Sequence, residues 1–419
     1  MKILVVGSGG REHAIIHKIS KSKKVEKIYC APGNDGIGQI AELVPIPVME
    51  FDSLIKFAKE KEIDLVVASM DDTLVAGIVD KFEENGIRIF GPNKACAIIE
   101  GSKAFSKELM KKYNIPTAKY ETFTEYEKAL EYIKSSKMPI VIKADGLAFG
   151  KGVIICENLE DAQNAIKEIM VDKKFGDSGN SIVIEEFMTG PEVSVLCFCD
   201  GKDIVPMVSA QDHKRAFDGD KGLNTGGMGT ISPTRFYTEE ISEICMQKIY
   251  KPTMEALIKE GRPFKGVIFF GLMITEDGPK VIEYNARFGD PETQVVLPRL
   301  KTDLVEIMEA CIDGRLSEIN IEWEDNATVC VILASGGYPN SFNKGYEITG
   351  LENFKSDENI YIYHAGTKLE NGKYVTNGGR VLGVMAKGEN METAKKLAYE
   401  SVSKIKFENM HFRKDIGNK

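Results

Sequence analysis

The spacing of apolar and polar positions divides the chain into four stretches of different character. Residues 2–6 form a short apolar run closed by Gly7-Ser8-Gly9-Gly10, and residues 11–20 carry helical spacing through Ala14, Ile15 and Ile19. Strand, glycine turn and helix are predicted in that order. Further apolar runs at 25–31, 63–69 and 86–90 alternate with helical stretches at 52–61 and 73–85, the rhythm of a parallel sheet covered on both faces. Gly91-Pro92-Asn93 ends that rhythm, and a helix rich in Lys and Glu is predicted over about 102–113.

Between 114 and 190 the pattern predicts strands at 139–143, 153–156 and 181–186 and a helix at 159–170, with the glycine-rich stretch Gly146 to Gly152 between the first two strands. Residues 191–325 read as a larger mixed sheet, with strands at 192–199, 203–211, 265–275 and 280–285 and covering helices near 238–260 and 301–313. After Trp323-Glu324-Asp325, short strands at 327–334, 346–349, 360–366 and 381–387 lead to a helix at 391–406. The expected fold is α/β and α+β multidomain. Its parts are an N-terminal parallel α/β domain at 1–101, a linker helix and small lobe at 102–190, a central lobe at 191–325, and a β-rich domain at 326–419. A chain of 419 residues also exceeds the ~250–300 residues at which single cores stop growing.

Composition narrows the function classes. Hydrophobic residues are 43% and charged residues 28%, which excludes a disordered or collagenous chain. The formal net charge is −9, so a global basic face for duplex DNA is not expected and anionic ligands need local basic clusters. Eight cysteines are scattered with no C-x-x-C pair, which fits reduced thiols in cores. The apolar run Ile3 to Val6 is too short for a signal-peptide core, and the longest uncharged stretch, Gly266 to Thr275, is well below the ~20 residues that span a bilayer. A cytoplasmic protein is expected, with no membrane or nucleic-acid partner, as a monomer or weak homodimer.

Four motifs carry candidate chemistry. Gly7-Ser8-Gly9-Gly10-Arg11-Glu12 puts a tight turn before a helix N-terminus, which suits a phosphate-bearing ligand or serves as a structural turn. Glu12 stands where a dinucleotide fingerprint needs its third glycine, and Ala31-Pro32-Gly33-Asn34 offers no acidic residue for a ribose. His13 and His17 lie four apart, but Ala14 occupies the position where a zinc-protease helix carries its glutamate.

The second motif is Lys143 with the loop Gly146 to Gly152, where backbone N–H groups and Lys143 and Lys151 can meet a triphosphate; alone, such a hairpin is as often structural. It lacks the Walker pattern. In the third, Glu283 and Asn285 alternate onto one face of a strand end, where two oxygens can meet one hard cation or join a salt-bridge network, with Arg287 beside them. The fourth is Gln211-Asp212-His213-Lys214-Arg215 followed by Gly222 to Gly229, which closes over a small anion or forms a solvated surface.

Together these stretches resemble the ATP-grasp ligases, and within them the glycinamide ribonucleotide synthetase (phosphoribosylamine–glycine ligase) family. The resemblance rests on the four motifs and on Gly91-Pro92, Glu100 to Phe105, Asn224 to Gly229, Asn285 to Gln294, His364 to Lys368, Thr376 to Arg380 and Arg413 to Gly417, and it covers essentially the whole chain. It implies a two-lobed ATP-grasp core and ATP-dependent condensation of glycine with 5-phosphoribosylamine. The products are glycinamide ribonucleotide, ADP and phosphate, formed through glycyl phosphate, in de novo purine biosynthesis with Mg²⁺ or Mn²⁺.

By position, the resemblance implies ATP contacts for Lys103, Lys143, Gly146, Gly150, Lys151, Gly152, Glu185, Glu186, Phe187 and Glu192. It implies metal ligation by Glu283 and Asn285, and catalytic roles for Arg287, Asp212 and Lys214. Gly9, Gly10, Arg11, Glu12, Asn224, Thr225, Gly226, Asp290, Pro291, Glu292, Lys368 and Arg380 fall around the phosphoribosylamine and glycine sites. The chain departs from the family pattern at Ser69-Met70-Asp71, at Leu223 and at Pro191, which bears on substrate affinity more than on reaction class. Another carboxylate–amine ligase of purine metabolism and a non-catalytic nucleotide sensor are the alternatives.

Overall fold

The computed structural model describes residues 1–147, 152–354 and 358–418. Gly150 and Lys151 of the glycine loop therefore lie outside the described residues.

Strands Lys2–Gly7, Lys27–Pro32, Glu42–Leu43, Leu65–Ala68 and Ile89–Phe90 form one parallel sheet in the order 3-2-1-4-5. Ile3 to Val6 and Leu65 to Val67 are fully buried, as strands covered on both faces require, and this is why they read as unbroken apolar runs. The strand order reverses between the first strand and Leu65–Ala68, so the crevice at their carboxyl ends, beside Gly7-Ser8-Gly9 and Ser69, is the place such a sheet offers a ligand. The helix expected over 73–85 is two helices, Asp71–Ala76 and Ile78–Glu84, divided at Gly77 with φ +95°. Likewise a separate helix, Lys94–Gly101, precedes Lys103–Lys112, and Ser102 between them accepts the Phe105 N–H in extended conformation.

The small lobe is an antiparallel sheet in the order Tyr120–Phe123, Ile182–Glu186, Ile140–Ala144, Val153–Cys156. Its helices bury Ala129, Ile133, Ala162 and Ile166 against Ile142 and Ile184 in a core of its own. A second antiparallel sheet runs Ile204–Pro206, Glu192–Asp200, Lys265–Thr275, Gly278–Asn285. Its residues Val195, Phe270 and Tyr284 share one core with Leu4, Val66 and Phe82 of the N-terminal sheet. The expected strand at 203–211 is broken into Ile204–Pro206 and Gln211–Asp212.

A third sheet crosses position 325. It runs Gln211–Asp212, Gly229–Ser232, Ala327–Ala334, Arg380–Gly388, Ile360–His364. Asp212 and the loop after it are thereby tied to the C-terminal strands. Residues 346–349 form isolated bridges at Glu347 and Thr349 rather than the expected strand, the last helix ends at Val402, and a hairpin of Thr367–Glu370 and Lys373–Thr376 carries Lys368. No helix among the described residues is long and apolar enough to cross a membrane.

Candidate active site

The crevice at the N-terminal sheet is built around Glu12, which folds back onto its own helix. Its Oε2 accepts the Gly9 N–H at 2.8 Å, and its Oε1 accepts from Arg11 Nε at 2.7 Å and from Ser69 Oγ at 2.8 Å. Gly7 has φ +137°, and a Cβ there would stand 2.5 Å from Glu12 Cγ, so only glycine allows this return. The carboxylate thus fills the approach that a dinucleotide pyrophosphate needs. Arg11 and Glu12 are buried in these contacts, whereas Ser8 and Gly9 line an open cleft of about 710 Å³ with Asn34, Asp290, Tyr338, Gly366, Lys368 and Arg380. Arg380 pairs with Asp290 Oδ2 at 3.1 Å and donates to the Asp290 carbonyl at 2.9 Å; Lys368 pairs with Glu370 on the exposed hairpin at 2.9 Å.

His13 and His17 turn away from any metal site. His17 stacks on Tyr361 at 3.6 Å between ring centroids, and His13 Nδ1 accepts the His364 N–H at 2.8 Å.

On the other side, Lys103 Nζ donates to the Gly146 carbonyl at 2.8 Å, close to where the glycine loop begins. Lys143 Nζ lies 2.8 Å from Glu185 Oε1 and donates to the Ile282 carbonyl at 3.1 Å. Lys107, four residues after Lys103, takes the second oxygen of Glu185 at 2.9 Å and donates to Thr117 Oγ1 at 2.8 Å. Burial pushes the Lys107 ammonium down to about 8 against the pull of Glu185. Glu186 accepts the Lys119 N–H at 3.0 Å. Phe187 is 38% exposed, an apolar face open to a ring.

Lys214 joins the two sides. Its Nζ stands 3.5 Å from both Glu192 Oε2 and Glu283 Oε1. Burial alone would raise the Glu283 carboxyl, but Lys214, Lys143, Lys103 and Arg287 override it and hold the group below its usual range. Asp212 lies the other way: burial, reinforced by the Glu292 carboxylate, pushes it well above the ordinary range despite Lys214 and Arg380. Glu292 is itself raised, chiefly by burial, and accepts from Ser194 Oγ at 3.1 Å. Thr225 donates from N–H and hydroxyl to the Lys214 carbonyl, each at 2.8 Å, and the Gly226 N–H donates to Tyr338 at 3.0 Å. Asn224 closes the strand Lys221–Asn224, Gly152 directly precedes the strand Val153–Cys156, and Pro291 follows Asp290 through a cis peptide bond.

Arg287 is gripped by Glu100, whose Oε1 stands 2.9 Å from Nη2. Neither Glu100 nor Lys107 was assigned a role by motif reasoning. A signal was present for each: Glu100 shares a helix face with buried Cys96 and Ala97, and Lys107 shares one with Lys103.

Similarity to known proteins decides the relationship. The family described as phosphoribosylglycinamide synthetase matches in three parts: its N domain over residues 1–100, its ATP-grasp (A) domain over 101–293 and its C domain over 328–419. The chain belongs to the phosphoribosylglycinamide synthetase family. Phosphoribosylamine–glycine ligase of Caldanaerobacter subterraneus is 50% identical over 416 residues, covering 99% of each chain. The enzyme of that name from Halalkalibacterium halodurans is 50% identical over 100% of this chain and 97% of its own. Among solved structures, phosphoribosylamine–glycine ligase of Thermotoga maritima superposes with a TM-score of 0.87 at 34% identity, covering 99% of this chain and 100% of that one. The biotin carboxylase domain of Hydrogenobacter thermophilus 2-oxoglutarate carboxylase shares the fold at 16% identity, with a TM-score of 0.75 over 98% of this chain and 91% of that one.

Proposed function

We propose that the chain joins glycine to 5-phosphoribosylamine at the expense of ATP, yielding glycinamide ribonucleotide, ADP and phosphate, as a cytoplasmic step of purine biosynthesis acting on small molecules. The observation that carries this reading is the gathering of Lys103, Lys143, Lys214 and Arg287 near the strand-end carboxylate of Glu283, with Lys214 Nζ 3.5 Å from its Oε1. Lys143, Lys214 and Arg287 also meet Glu185, Glu192 and Glu100, while Lys103 donates to a carbonyl, so a local basic cluster suited to nucleotide phosphates stands in a chain that is acidic as a whole.

A divalent Mg²⁺ or Mn²⁺ ion fits this site. The donors are hard oxygens from Glu283 and Asn285, and Asn285 Nδ2 is spent on the Tyr284 carbonyl at 2.9 Å, which leaves Oδ1 as its acceptor. No cluster of three or more His, Cys, Asp or Glu able to cage a metal occurs among the described residues; Glu283 and Asn285 would hold the ion together with oxygens of the substrate phosphates and water. Bound there, the ion supplies charge neutralisation to those oxygens.

The protein's own part is positioning and charge. A glycine carboxylate oxygen attacks the γ-phosphorus and ADP departs, leaving glycyl phosphate; Lys103, Lys143 and Arg287 hold the charge that shifts onto the phosphate oxygens. The amine nitrogen of phosphoribosylamine then attacks the acyl carbon, inorganic phosphate departs, and the nitrogen loses a proton. Asp212, half-buried between Lys214 and Arg380, is the carboxylate that takes that proton. The cleft between Ser8-Gly9 and Arg380 receives the ribose 5-phosphate, and Phe187 the adenine.

ADP release with glycine and freshly made phosphoribosylamine, each omitted in turn, tests the reading. Release that depends on glycine and yields an amide product supports it; full release without glycine, or with a different carboxylate only, overturns it.

A further inference from the structure

The Glu100 side chain ends a helix in the N-terminal half of the molecule yet spends both oxygens on the phosphoryl-transfer loop. Oε1 stands 2.9 Å from Arg287 Nη2, and Oε2 accepts the Ala286 N–H at 2.7 Å. One carboxylate thereby grips the guanidinium and the backbone one residue before it. Glu100 is 7% exposed, so this is a desolvated pair in which the geometry is stiff.

A guanidinium carries five N–H donors in one plane. In Arg287, Nη2 goes to Glu100 and Nη1 donates to the Phe288 carbonyl at 3.2 Å. Nε is buried and has no partner among the described residues. An unspent buried donor is destabilising, and such groups persist where a ligand completes them.

Alternatives for the guanidinium are close by. Glu283, Asp290 and Glu292 all feel the charge of Arg287. A guanidinium free to rotate would pair with one of these carboxylates, and pairing with Glu283 would compete with the divalent ion.

We propose that Glu100 is a positioning residue: by holding Arg287 from one edge it keeps the Nε–H free for an oxygen of the transferring phosphoryl group and keeps the guanidinium off Glu283. The proposal rests on the ligase reading above. Because Glu100 directly precedes Gly101-Ser102-Lys103, the same clamp ties the register of the phosphate-binding Lys103 helix to the loop that carries Arg287.

The test compares wild type, Glu100→Gln, Arg287→Lys and the double variant. Glu100→Gln keeps an acceptor for the Ala286 N–H but removes the charge that fixes the guanidinium. Its kcat is expected to fall on the order of 100-fold, the scale of losing one aligned transition-state donor, with KM for ATP and glycine within about threefold. In the Arg287→Lys background the same change should cost less than about threefold, since the two residues act as a unit.

Affinity for ADP with Mg²⁺ and aluminium fluoride, a mimic of the transferring phosphoryl group, should weaken in Glu100→Gln while affinity for ADP alone holds. Equal kcat for Glu100→Gln and wild type, or a full additional loss in the Arg287→Lys background, overturns the proposal. So does a loss of turnover explained by parallel loss of ADP affinity, which marks a merely structural residue. Should Glu100→Gln fail to fold, Glu100→Asp, too short to reach both partners, carries the same expectations. A wild-type chain that releases no ADP with glycine and the amine overturns the ligase reading and this proposal with it; turnover in wild type and in Glu100→Gln alike sinks the proposal alone.

Discussion

Lys107 grips Glu185 at 2.9 Å from the side opposite Lys143, which holds the same carboxylate at 2.8 Å. One buried anion is thus shared by two buried cations, so neither lysine is neutralised in full. The arrangement leaves Lys143 part of its charge for a phosphate, and Lys107 is what prevents Glu185 from claiming all of it.

Lys107→Met is therefore expected to raise KM for ATP several-fold with a smaller change in kcat. Removing one partner from a buried charge group also destabilises, on the order of 3 kcal/mol, so the melting temperature should drop. ATP titrations at fixed glycine, beside thermal unfolding, separate the two effects. An unchanged KM would show that Lys143 does not depend on this sharing.

Glu283→Ala should abolish turnover while leaving the fold intact. The side chain sits near a strand end opposite Gly271, where a Cβ would stand 3.1 Å from Glu283 Cγ. A fall in kcat of at least about 1,000-fold is expected, the scale of losing a principal electrostatic element, together with loss of the Mg²⁺ dependence of ADP binding. A folded variant that keeps near-normal kcat would remove Glu283 from the metal site.

The parts of the fold that sequence reveals are those whose cause is local. Ile3 to Val6 read as a doubly covered strand because every position is apolar, and burial on both faces is what that pattern means. Gly77 could have been read as a break; at φ +95° it ends one helix and begins the next. The pairing of Gly229–Ser232 with Ala327–Ala334 spans about a hundred residues and leaves no trace in local periodicity. The candidate site divides in the same way. Glu283, Asn285 and Arg287 lie within five positions and announce themselves, whereas Glu100 gains meaning only when a distant loop closes on it. Glu12 was visible as a departure from a glycine pattern; that its carboxylate also accepts from Ser69, just past the strand Leu65–Ala68, was not.

Acid should loosen the contact between the first helix and the C-terminal sheet. Burial pushes the His364 imidazole down to about 4 and that of His17 down to about 3. Both are thus neutral in the folded chain while the unfolded chain binds a proton below about 6.5. The unfolded state then binds more protons, and stability falls as pH drops from about 6.5 toward 4, by at most ~1.4 kcal/mol per pH unit for each imidazole. Urea midpoints at pH 7 and pH 5 measure the fall. His17→Phe, which preserves the stack on Tyr361, should reduce the difference between them; an equal difference in that variant would assign the acid sensitivity elsewhere.

Lys368 and Arg380 both line the cleft beside Ser8 and Gly9, but they are held differently, and their substitutions should separate accordingly. Lys368 sits on an exposed hairpin with Glu370 as its partner, so Lys368→Ala costs the fold little, as exposed pairs do. Its effect should appear as a several-fold rise in KM for phosphoribosylamine with ATP kinetics nearly unchanged. Arg380 is tied to Asp290 by side chain and carbonyl and also donates to the Gly226 carbonyl. Arg380→Ala should therefore lower the melting temperature as well as raise that KM, because it frees the Asn224 to Gly229 loop and takes from the partly buried Asp290 the largest of its counter-charges. Steady-state kinetics with each substrate varied, run beside thermal unfolding of both variants, makes the comparison. If Lys368→Ala moved only the KM for ATP, the C-terminal hairpin would not border the amine substrate.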